Sequence, residues 1–383
     1  MAWPQPQDSV QVLPSNSLSV IVPTFMEAQN IGELLERLTK VRAQIKNLGF
    51  QLFELIIVDD NSGDGIDERI RQLTDHDWIR LHIRKGRRDL SLAVLEGIRL
   101  ARGDVFVVMD ADLSHSPEMI PEMLTRLQNP KTDFVIGSRY ISGGEVESEW
   151  SFGRRVKSRL ATWAARPFTK VKDPMSGFFA LRRETFQKAE PLNPLGYKIG
   201  LELIVKCQCK SVEEVPIFFA DRKRGESKLS WREQWAYLRH LKRLADYRFG
   251  HLSFILQFGL VGLTGTLSNL IILTLALKWG ASPREAGLMG IFLSMNGNFY
   301  LNRKVTFRGF GKLPLWIQYC RFMASCSLGA VMNYIVYLQL IDSTLIFGRF
   351  PQLAQLVGIL AGMAFNYLLS RYWAFANKPD PHP

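Results

Sequence analysis

The sequence predicts an α/β domain with a mostly parallel sheet, followed by an all-helical membrane domain. Between residues 18 and 112, short apolar runs alternate with amphipathic stretches, which indicates strands alternating with helices. Residues 251–375 are mostly apolar and contain long uncharged stretches. The chain carries 48 Lys and Arg against 36 Asp and Glu, a net charge of +12, which suits an anionic partner such as phospholipid or a phosphorylated substrate.

The N-terminal half can be divided into elements in order. A first strand, Leu18–Phe25, is expected to break at Pro23, and a helix from Asn30 to Asn47 follows with apolar residues at a period of 3.6. A second strand, Phe53–Asp60, ends in acids. The next elements are a helix at Ile66–Leu73, a strand at Ile79–Ile83, a helix at Leu90–Ala101 and a strand at Val105–Val108. Such nearly continuous apolar strands predict a parallel sheet covered on both faces.

Carboxylates follow two of these strands, where ligands of open α/β sheets bind. Asp59 and Asp60 end one strand, and Asp110 and Asp112 follow another. Two carboxylates this close repel each other, and a hard cation, Mg²⁺ or Mn²⁺, relieves the repulsion when it is bound with a substrate's phosphates. The alternative is that Asp110 and Asp112 are solvated acids that cap a helix beginning at Pro117.

Several classes of protein are excluded or disfavoured. No Gly-x-Gly-x-x-Gly follows the first strand and no Walker A motif occurs, which argues against dinucleotide oxidoreductases and P-loop enzymes. The four cysteines match neither a zinc site nor a disulfide framework. Residues 1–17 have no basic start and no apolar core, so we expect a disordered tail and not a signal peptide.

Two basic stretches are interleaved with aromatic and aliphatic residues. Residues 153–172 and 229–250 combine Lys and Arg with Trp, Leu and Phe or Tyr, as helices on an anionic membrane surface do. An ordinary solvated helix face is the alternative. Nucleic acid is disfavoured as a partner because an apolar region follows directly.

Four uncharged windows predict a four-span membrane domain over residues 251–377. They are Phe254–Leu277, Ala286–Leu301, Phe322–Ile341 and Phe350–Ser370, of which the second is short for a bilayer. The connection between the second and third carries five cations and no acid: Arg303, Lys304, Arg308, Lys312 and Arg321. By the positive-inside rule this connection is cytoplasmic, and so are both termini and the N-terminal half.

This half also contains an internal repeat. The segment from Asn298 to Arg303 resembles that from Asn366 to Arg371, and Phe307 and Phe375 follow at the same offset. The repeat predicts two tandem hairpins. Four asparagines lie inside the windows, where interhelical hydrogen bonds are expected and contact with a lipid headgroup is the alternative: Asn269, Asn298, Asn333 and Asn366.

Six short segments occur in the order seen in family 2 glycosyltransferases of the GT-A fold. They are Ile21–Glu27, Val58–Ser62, Asp110–Asp112, Gly137–Tyr140, Asp173–Phe179 and Arg224–Lys228. The resemblance covers residues 18–245 and is strongest to polyprenyl-phosphate hexosyltransferases of the dolichol-phosphate mannose synthase type. It implies a catalytic domain at 18–228, and residues 251–377 resemble the GtrA-like membrane domain.

The resemblance implies a site for a nucleotide sugar. Its nucleoside would contact Pro23, Phe25, Glu27 and Asp60, although Phe25 could instead be core. The metal and the diphosphate would bind Asp110 and Asp112, with Ser114 standing where the family usually has a glutamine ligand. A mobile loop with Arg224 and Lys228 would close on the diphosphate.

The acceptor side is implied in the same way. The lipid phosphate would bind Arg139, Arg154 and Ser158, while Asp173 would orient the acceptor; a structural ion pair or turn is the alternative for Arg139 and for Asp173. The residues expected to be catalytic are Asp112, Arg139, Asp173 and Lys228.

The expected reaction transfers mannose from GDP-mannose to dolichyl or polyprenyl phosphate with inversion. UDP-glucose is the alternative donor. A processive polysaccharide synthase is disfavoured because no Gln-x-x-Arg-Trp precedes the membrane windows. A lipid-linked-sugar translocator with a vestigial transferase domain is the alternative from another class, and the intact Asp110, Asp112, Arg139 and Lys228 argue against it.

Overall fold

The computed structural model describes residues 16–73, 77–146, 152–193, 196, 198–219, 231–281, 283–308, 313–343, 347 and 351–375. The chain divides into two compact units, an N-terminal unit ending at Arg248 and a C-terminal unit beginning at Phe249. The predicted tail falls almost entirely outside the described residues.

A seven-stranded sheet forms the centre of the N-terminal unit, in the order β3-β2-β1-β4-β7-β5-β8. Its strands are β1 Ser17–Thr24, β2 Leu52–Asp59, β3 Ile79–Ile83, β4 Val105–Val108, β5 Phe134–Ser138, β7 Phe179–Arg182 and β8 Val212–Pro216. Only β7 runs antiparallel to its neighbours β4 and β5. The short strands β6 Glu145–Val146 and β9 Phe218–Phe219 pair in parallel and form a separate two-stranded sheet. The predicted mostly parallel α/β fold is confirmed.

Helices cover both faces of the sheet. They are α1 Ala28–Asn47, α2 Ile66–Leu73, α3 Leu90–Leu100, α4 Ile120–Leu127, α6 Arg183–Gln187 and α7 Ile199–Lys206. Two further helices, α5 Phe152–Ala165 and α8 Trp231–Phe249, pack with α7 in a separate cluster of buried residues. Because side chains alternate across a strand, β1 serves two cores: Val20 and Val22 pack in one, and Ile21 in the other. Because helices pack on both faces of the sheet, a binding site is expected at the ends of the strands.

The prediction that the first strand breaks at Pro23 is wrong. Strand β1 continues through Pro23 to Thr24, which pairs with Asp59 of β2. The carbonyl of Thr24 accepts from the N–H of Asp60, so the backbone of Pro23 faces the other way, toward β4. Pairing with β4 has already ended there at Ile21, and the missing N–H of proline therefore interrupts no ladder bond.

Helices α5 and α8 expose apolar side chains, as a membrane-surface pair would. Tyr237 of α8 donates a hydrogen bond of 2.7 Å to the carbonyl of Ala161 in α5. On the outside, Trp163 is 74% exposed and Trp235 is 63% exposed. Exposed tryptophans beside basic residues suit the interface of an anionic bilayer.

The C-terminal unit consists of two helical hairpins. The helices are α9 His251–Lys278, α10 Pro283–Leu301, α11 Leu315–Ser343 and α12 Pro351–Leu369. Each hairpin ends in a π-helical turn, at Asn302–Thr306 and at Ser370–Ala374. The phenylalanines that follow the two turns stack on each other, with ring centroids 4.8 Å apart (Phe307 and Phe375). The two halves of the sequence repeat thus end in the same way.

The first three predicted windows lie within α9, α10 and α11, and the fourth, Phe350–Ser370, extends one residue beyond α12 at each end, with Phe350 outside the described residues. Within the part of the chain that the structure describes, α9 is the helix that is long and apolar enough, by length and composition, to cross a membrane. A count of four spans therefore stays a prediction.

Candidate active site

The turn after β4 holds the two carboxylates that the sequence singles out. Asp112 is 4% exposed, whereas the side chain of Asp110 is 29% exposed. The backbone N–H and the hydroxyl of Ser114 both donate to Oδ1 of Asp112, at 3.1 and 2.5 Å. Leu113, between them, has a φ of 63°, so the turn is sharp. Asp112 is therefore buried and held in place, and the alternative of two solvated acids is wrong.

His115 belongs to this turn, and sequence analysis missed it. The ring is 1% exposed and stacks on Phe178 with centroids 5.2 Å apart. Its Nδ1 accepts a 3.1 Å hydrogen bond from the backbone N–H of Asp110. A ring nitrogen that accepts an N–H bond carries no proton, so its 3.7 Å approach to Oδ2 of Asp110 is not an ion pair. His115 fixes the backbone at Asp110, five residues before it.

The residues of this turn fit a hard divalent cation that is only partly liganded by protein. Among the described residues, no group of three or more His, Cys, Asp or Glu could hold a metal by itself. Asp110 and Asp112 supply carboxylate oxygens, and a cation of the Mg²⁺ type takes its other ligands from phosphates and water. Ser114 supports Asp112 with its hydroxyl proton, and its role as a metal ligand stays a prediction.

The next strand end, at β2, holds Asp60 firmly. Arg84, buried at the end of β3, donates to Oδ1 of Asp60, and the N–H of Asp89 donates to Oδ2 at 2.7 Å. The neighbouring Asp59 accepts from the N–H and hydroxyl of Ser62, at 2.8 and 2.7 Å. Sequence analysis missed Arg84, whose only signal was its place directly after an adjacent strand. A donor-binding role for Asp60 would act from this fixed position.

The first motif lies in the loop after β1. The guanidinium of Arg88 lies 4.4 Å from the ring centroid of half-buried Phe25. Oε2 of Glu27 accepts a 2.6 Å hydrogen bond from the side chain of Asn30. Met26 is 59% exposed and has a φ of 63°, a conformation in which asparagine is more favourable than methionine. The loop therefore makes a tight turn at Met26, and the guanidinium of Arg88 lies over the ring of Phe25.

Arg139 and Asp173 form a buried ion pair. Nε and Nη2 of Arg139 donate to the two oxygens of Asp173 at 2.6 and 2.8 Å, and the N–H of Arg139 adds a third bond of 3.1 Å. The two side chains are 9% and 0% exposed. Burial alone lowers the pKa of Arg139, but the bond and charge of Asp173, with weaker effects of Tyr140 and Asp110, outweigh it and raise the pKa. Both oxygens of Asp173 are bonded to Arg139, which holds the guanidinium in one orientation, and a role of Asp173 toward an acceptor stays a prediction.

The turn that begins at Asp173 also reaches Asp110. A Cβ placed on Gly177 would lie 3.3 Å from both carboxylate oxygens of Asp110, tighter than ordinary packing. Glu214 of β8 accepts from the backbone N–H groups of Lys172 and Asp173, at 2.9 and 3.2 Å. One turn therefore connects the buried ion pair to the candidate metal site.

Of the other residues predicted to bind the substrates, Ser158 is described by the structure, whereas the side chains of Arg154, Arg224 and Lys228 are not. The hydroxyls of Ser158 in α5 and Tyr140 are hydrogen-bonded at 2.7 Å, which ties this helix to the residue after Arg139. The backbone of Arg154 lies in α5, but its side chain is outside the described part. Arg224 and Lys228 also lie outside the described residues.

Two protein families match this chain. The family described as Glycosyl transferase family 2 matches residues 19–189, and the GtrA/DPMS transmembrane domain matches residues 257–375. The first range contains the turn after β4 and the Arg139–Asp173 pair, and the second contains both helical hairpins apart from the first six residues of α9.

One of the named relatives covers nearly the whole chain, and another covers more than half of it. A dolichol-phosphate mannosyltransferase of Pyrococcus furiosus is 37% identical over 363 residues, which are 94% of this chain and 99% of that protein. The protein of the same name from Mycosarcoma maydis is 42% identical over 238 residues, covering 61% of this chain and 81% of its own.

Among solved structures, glucosyl-3-phosphoglycerate synthase from Mycobacterium tuberculosis is similar. The structure described with Mn²⁺, uridine diphosphate and glucosyl-3-phosphoglycerate is 19% identical, with a TM-score of 0.45, and covers 64% of this chain and 86% of that one.

Proposed function

Because the chain belongs to the dolichol-phosphate mannosyltransferases, with a family 2 glycosyl transferase domain and a GtrA/DPMS transmembrane domain, we propose that it transfers mannose from GDP-mannose to polyprenyl phosphate. The protein is a glycosyltransferase associated with a membrane. The proposal adds the donor, inversion at the anomeric carbon, the metal requirement and the role of each site residue.

The chemistry asks mainly for positioning. A lipid phosphate is already anionic at neutral pH, so the nucleophile needs no strong base. The negative charges of the lipid phosphate and of the donor diphosphate repel each other. A Mg²⁺ or Mn²⁺ ion, when bound, offsets the charge of the leaving diphosphate. Asp110 and Asp112 would hold that ion, and Ser114 would keep the carboxylate of Asp112 in one orientation.

The observation that carries the proposal is the buried Arg139–Asp173 pair, since the turn that begins at Asp173 reaches Asp110 through Gly177. Gly177 lies against both carboxylate oxygens of Asp110, and the charge of Asp110 is among the weaker effects that raise the pKa of Arg139. A cation beside a pair of acids gives separate binding positions to an acceptor phosphate and to a metal-bound diphosphate. Attack from opposite the diphosphate is a single in-line displacement, and an α-linked donor then gives a β-linked product.

The site would work at the cytoplasmic membrane surface. Arg303, Lys304 and Arg308 follow α10, and a basic connection of this kind is retained on the cytoplasmic side. With four spans, the N-terminal unit would lie on that same side. The exposed Trp163 and Trp235 would then contact the bilayer that carries the acceptor.

Purified protein given labelled GDP-mannose, polyprenyl phosphate and Mn²⁺ is expected to form a labelled lipid. Labelled UDP-glucose is expected to give at least about tenfold less, the effect of about 1.4 kcal/mol of discrimination. Chromatography of the lipid extract measures both. A labelled lipid from UDP-glucose alone would establish the alternative donor, and no labelled lipid from either would refute the transferase.

Metal removal is expected to abolish transfer. Since the described residues supply only carboxylates and a hydroxyl at the turn after β4, an excess of EDTA should extract the ion and stop formation of the labelled lipid. Added Mn²⁺ or Mg²⁺ should restore it. Full activity in EDTA, after prior dialysis against the chelator, would contradict the metal role of Asp110 and Asp112.

Replacing Ser114 by alanine should lower kcat about tenfold, since Asp112 loses one charge-assisted hydrogen bond. The mannose transfer rate at saturating donor measures the effect. The matched control is Ser116→Ala, because Ser116 makes no side-chain bond to the helical turn it precedes, and we expect its activity to be unchanged. A Ser114→Ala variant as active as the control would show that this bond does not orient Asp112.

A further inference from the structure

A cavity of about 310 Å³ lies within the C-terminal unit, lined by residues from all four helices. Amides, aromatic rings and glycines make up most of its wall. Its polar lining is formed by Asn298, Asn302, Asn333 and Asn366, and its largest apolar surfaces by Phe258 and Phe322. None of the described residues that line it carries a charge.

The four amides offer hydrogen bonds that the protein does not use. The side-chain oxygens of Asn298, Asn302, Asn333 and Asn366 are buried, and no described residue forms a hydrogen bond with them. Polar groups buried among apolar helices are unfavourable unless they are bonded. At Asn298, Asn333 and Asn366, where interhelical hydrogen bonds were expected, the described residues provide no such bond to the side-chain oxygen, and an occupant of the cavity would satisfy these oxygens and that of Asn302.

The glycines show that the amides are held close to the helices opposite them. A Cβ on Gly265 would overlap the amide of Asn298, and a Cβ on Gly329 would overlap the amide of Asn366. These two pairs occupy the same positions in the two sequence repeats. The chain therefore places an amide against a glycine at the same position in each hairpin, and both of these amides line the same cavity. In the first hairpin, Asn269 lies against Gly290 as well.

We propose that this cavity binds a neutral hexose ring. Carboxamides both donate to and accept from hydroxyls, and the rings of Phe258 and Phe322 supply apolar surface for the carbon face of a sugar. A phosphate would need a cation, which the described lining does not provide. The volume is at the lower end of ligand pockets, about 300–1,000 Å³, which suits one ring. Resting on the proposed function, the ring is the mannosyl head of the lipid-linked product.

Cys326 provides a direct test because it lines the cavity, whereas Cys320 on the same helix is exposed. The full-length protein in detergent is treated with N-ethylmaleimide, and peptide mass spectrometry follows both thiols. The additions are synthetic polyprenyl-phosphate mannose, polyprenyl phosphate without sugar, and free mannose. We expect the mannosylated lipid to slow alkylation of Cys326 at least about threefold at saturation, with Cys320 unchanged.

Each other outcome has a defined meaning. Protection by free mannose as well would support the site and show that the ring alone suffices. Equal protection by the lipid without sugar would overturn hexose recognition, and so would a reactive Cys326 that no ligand protects. Because the mannosylated lipid is synthetic, this result does not depend on whether the enzyme makes it. Product formation from GDP-mannose, measured separately, tests the proposed function.

A second measurement decides the matter if Cys326 is inert to the reagent. Asn298→Leu removes a cavity amide, and Asn296→Leu is its matched control on the same helix, since Asn296 accepts from Tyr319 and does not line the cavity. We expect Asn298→Leu to weaken binding of the labelled mannosylated lipid about tenfold relative to Asn296→Leu. Both variants keep the N-terminal unit intact, so binding there is the same in each. Equal binding by the two variants would overturn the site.

Discussion

An Asp112→Ala variant is expected to lose at least about 1,000-fold in mannose transfer while it still enters the membrane fraction. Asp112 is buried with its Oδ1 fixed by Ser114, so no neighbouring water-exposed group replaces it easily. Its loss would remove one of the two carboxylates proposed to hold the metal, and with it the relief of charge on the departing diphosphate. Formation of labelled lipid from GDP-mannose measures the effect.

The matched control is Asp104→Ala, at the opposite end of the same strand. Asp104 accepts a 2.9 Å hydrogen bond from Ser17 and precedes β4, whereas Asp112 follows it. We expect this variant to keep transfer within about threefold, since an exposed or half-buried hydrogen bond contributes only about 1 kcal/mol to stability. Substantial activity of Asp112→Ala, with normal thermal unfolding, would refute its metal role.

The second large effect is expected from the buried ion pair. Asp173→Ala leaves the guanidinium of Arg139 buried without its carboxylate, which should reduce the free energy of unfolding by about 3–5 kcal/mol. Thermal unfolding and denaturant titration of the full-length protein measure the loss. Transfer activity should fall as well, because Arg139 loses the three hydrogen bonds that fix its orientation.

A double variant separates structure from function at this pair. Replacing a buried ion pair by apolar residues of similar volume is often neutral for stability, so Arg139→Met with Asp173→Leu should regain most of the lost unfolding free energy. It should remain inactive, because no cation then faces the acceptor phosphate. A stable double variant that transfers mannose would show that the pair is only structural, which is the alternative for Arg139 given in the sequence analysis.

Local patterns predicted the elements around the site accurately. The bounds of α2, β3 and β4 agree residue for residue with those expected, because each is a short apolar run or helical period between clear turn signals. Asp110 and Asp112 were found because they lie directly after such a run. Elements with a clear hydrophobic period, or with turn residues at their ends, can therefore be predicted from the sequence.

Contacts between distant residues could not be predicted in this way. Arg139 follows β5 and Asp173 precedes the antiparallel strand β7, 34 positions later in the sequence, and no apolar period indicates that the two residues meet. Arg84 reaches Asp60 only because β3 lies beside β2 in the sheet. Pro23 reads as a break because the missing N–H is visible in the sequence, whereas the pairing of β1 with β4, which ends at Ile21, is not.

The stacked Phe307 and Phe375 determine the order in which the C-terminal unit can be assembled during synthesis. Phe307 follows the first hairpin, and Phe375 follows the second, so the stack cannot form until α12 has left the ribosome. Until then Phe307, which is fully buried in the complete unit, lacks the ring on which it stacks. Assembly of the C-terminal unit is therefore completed only when the second hairpin joins the first.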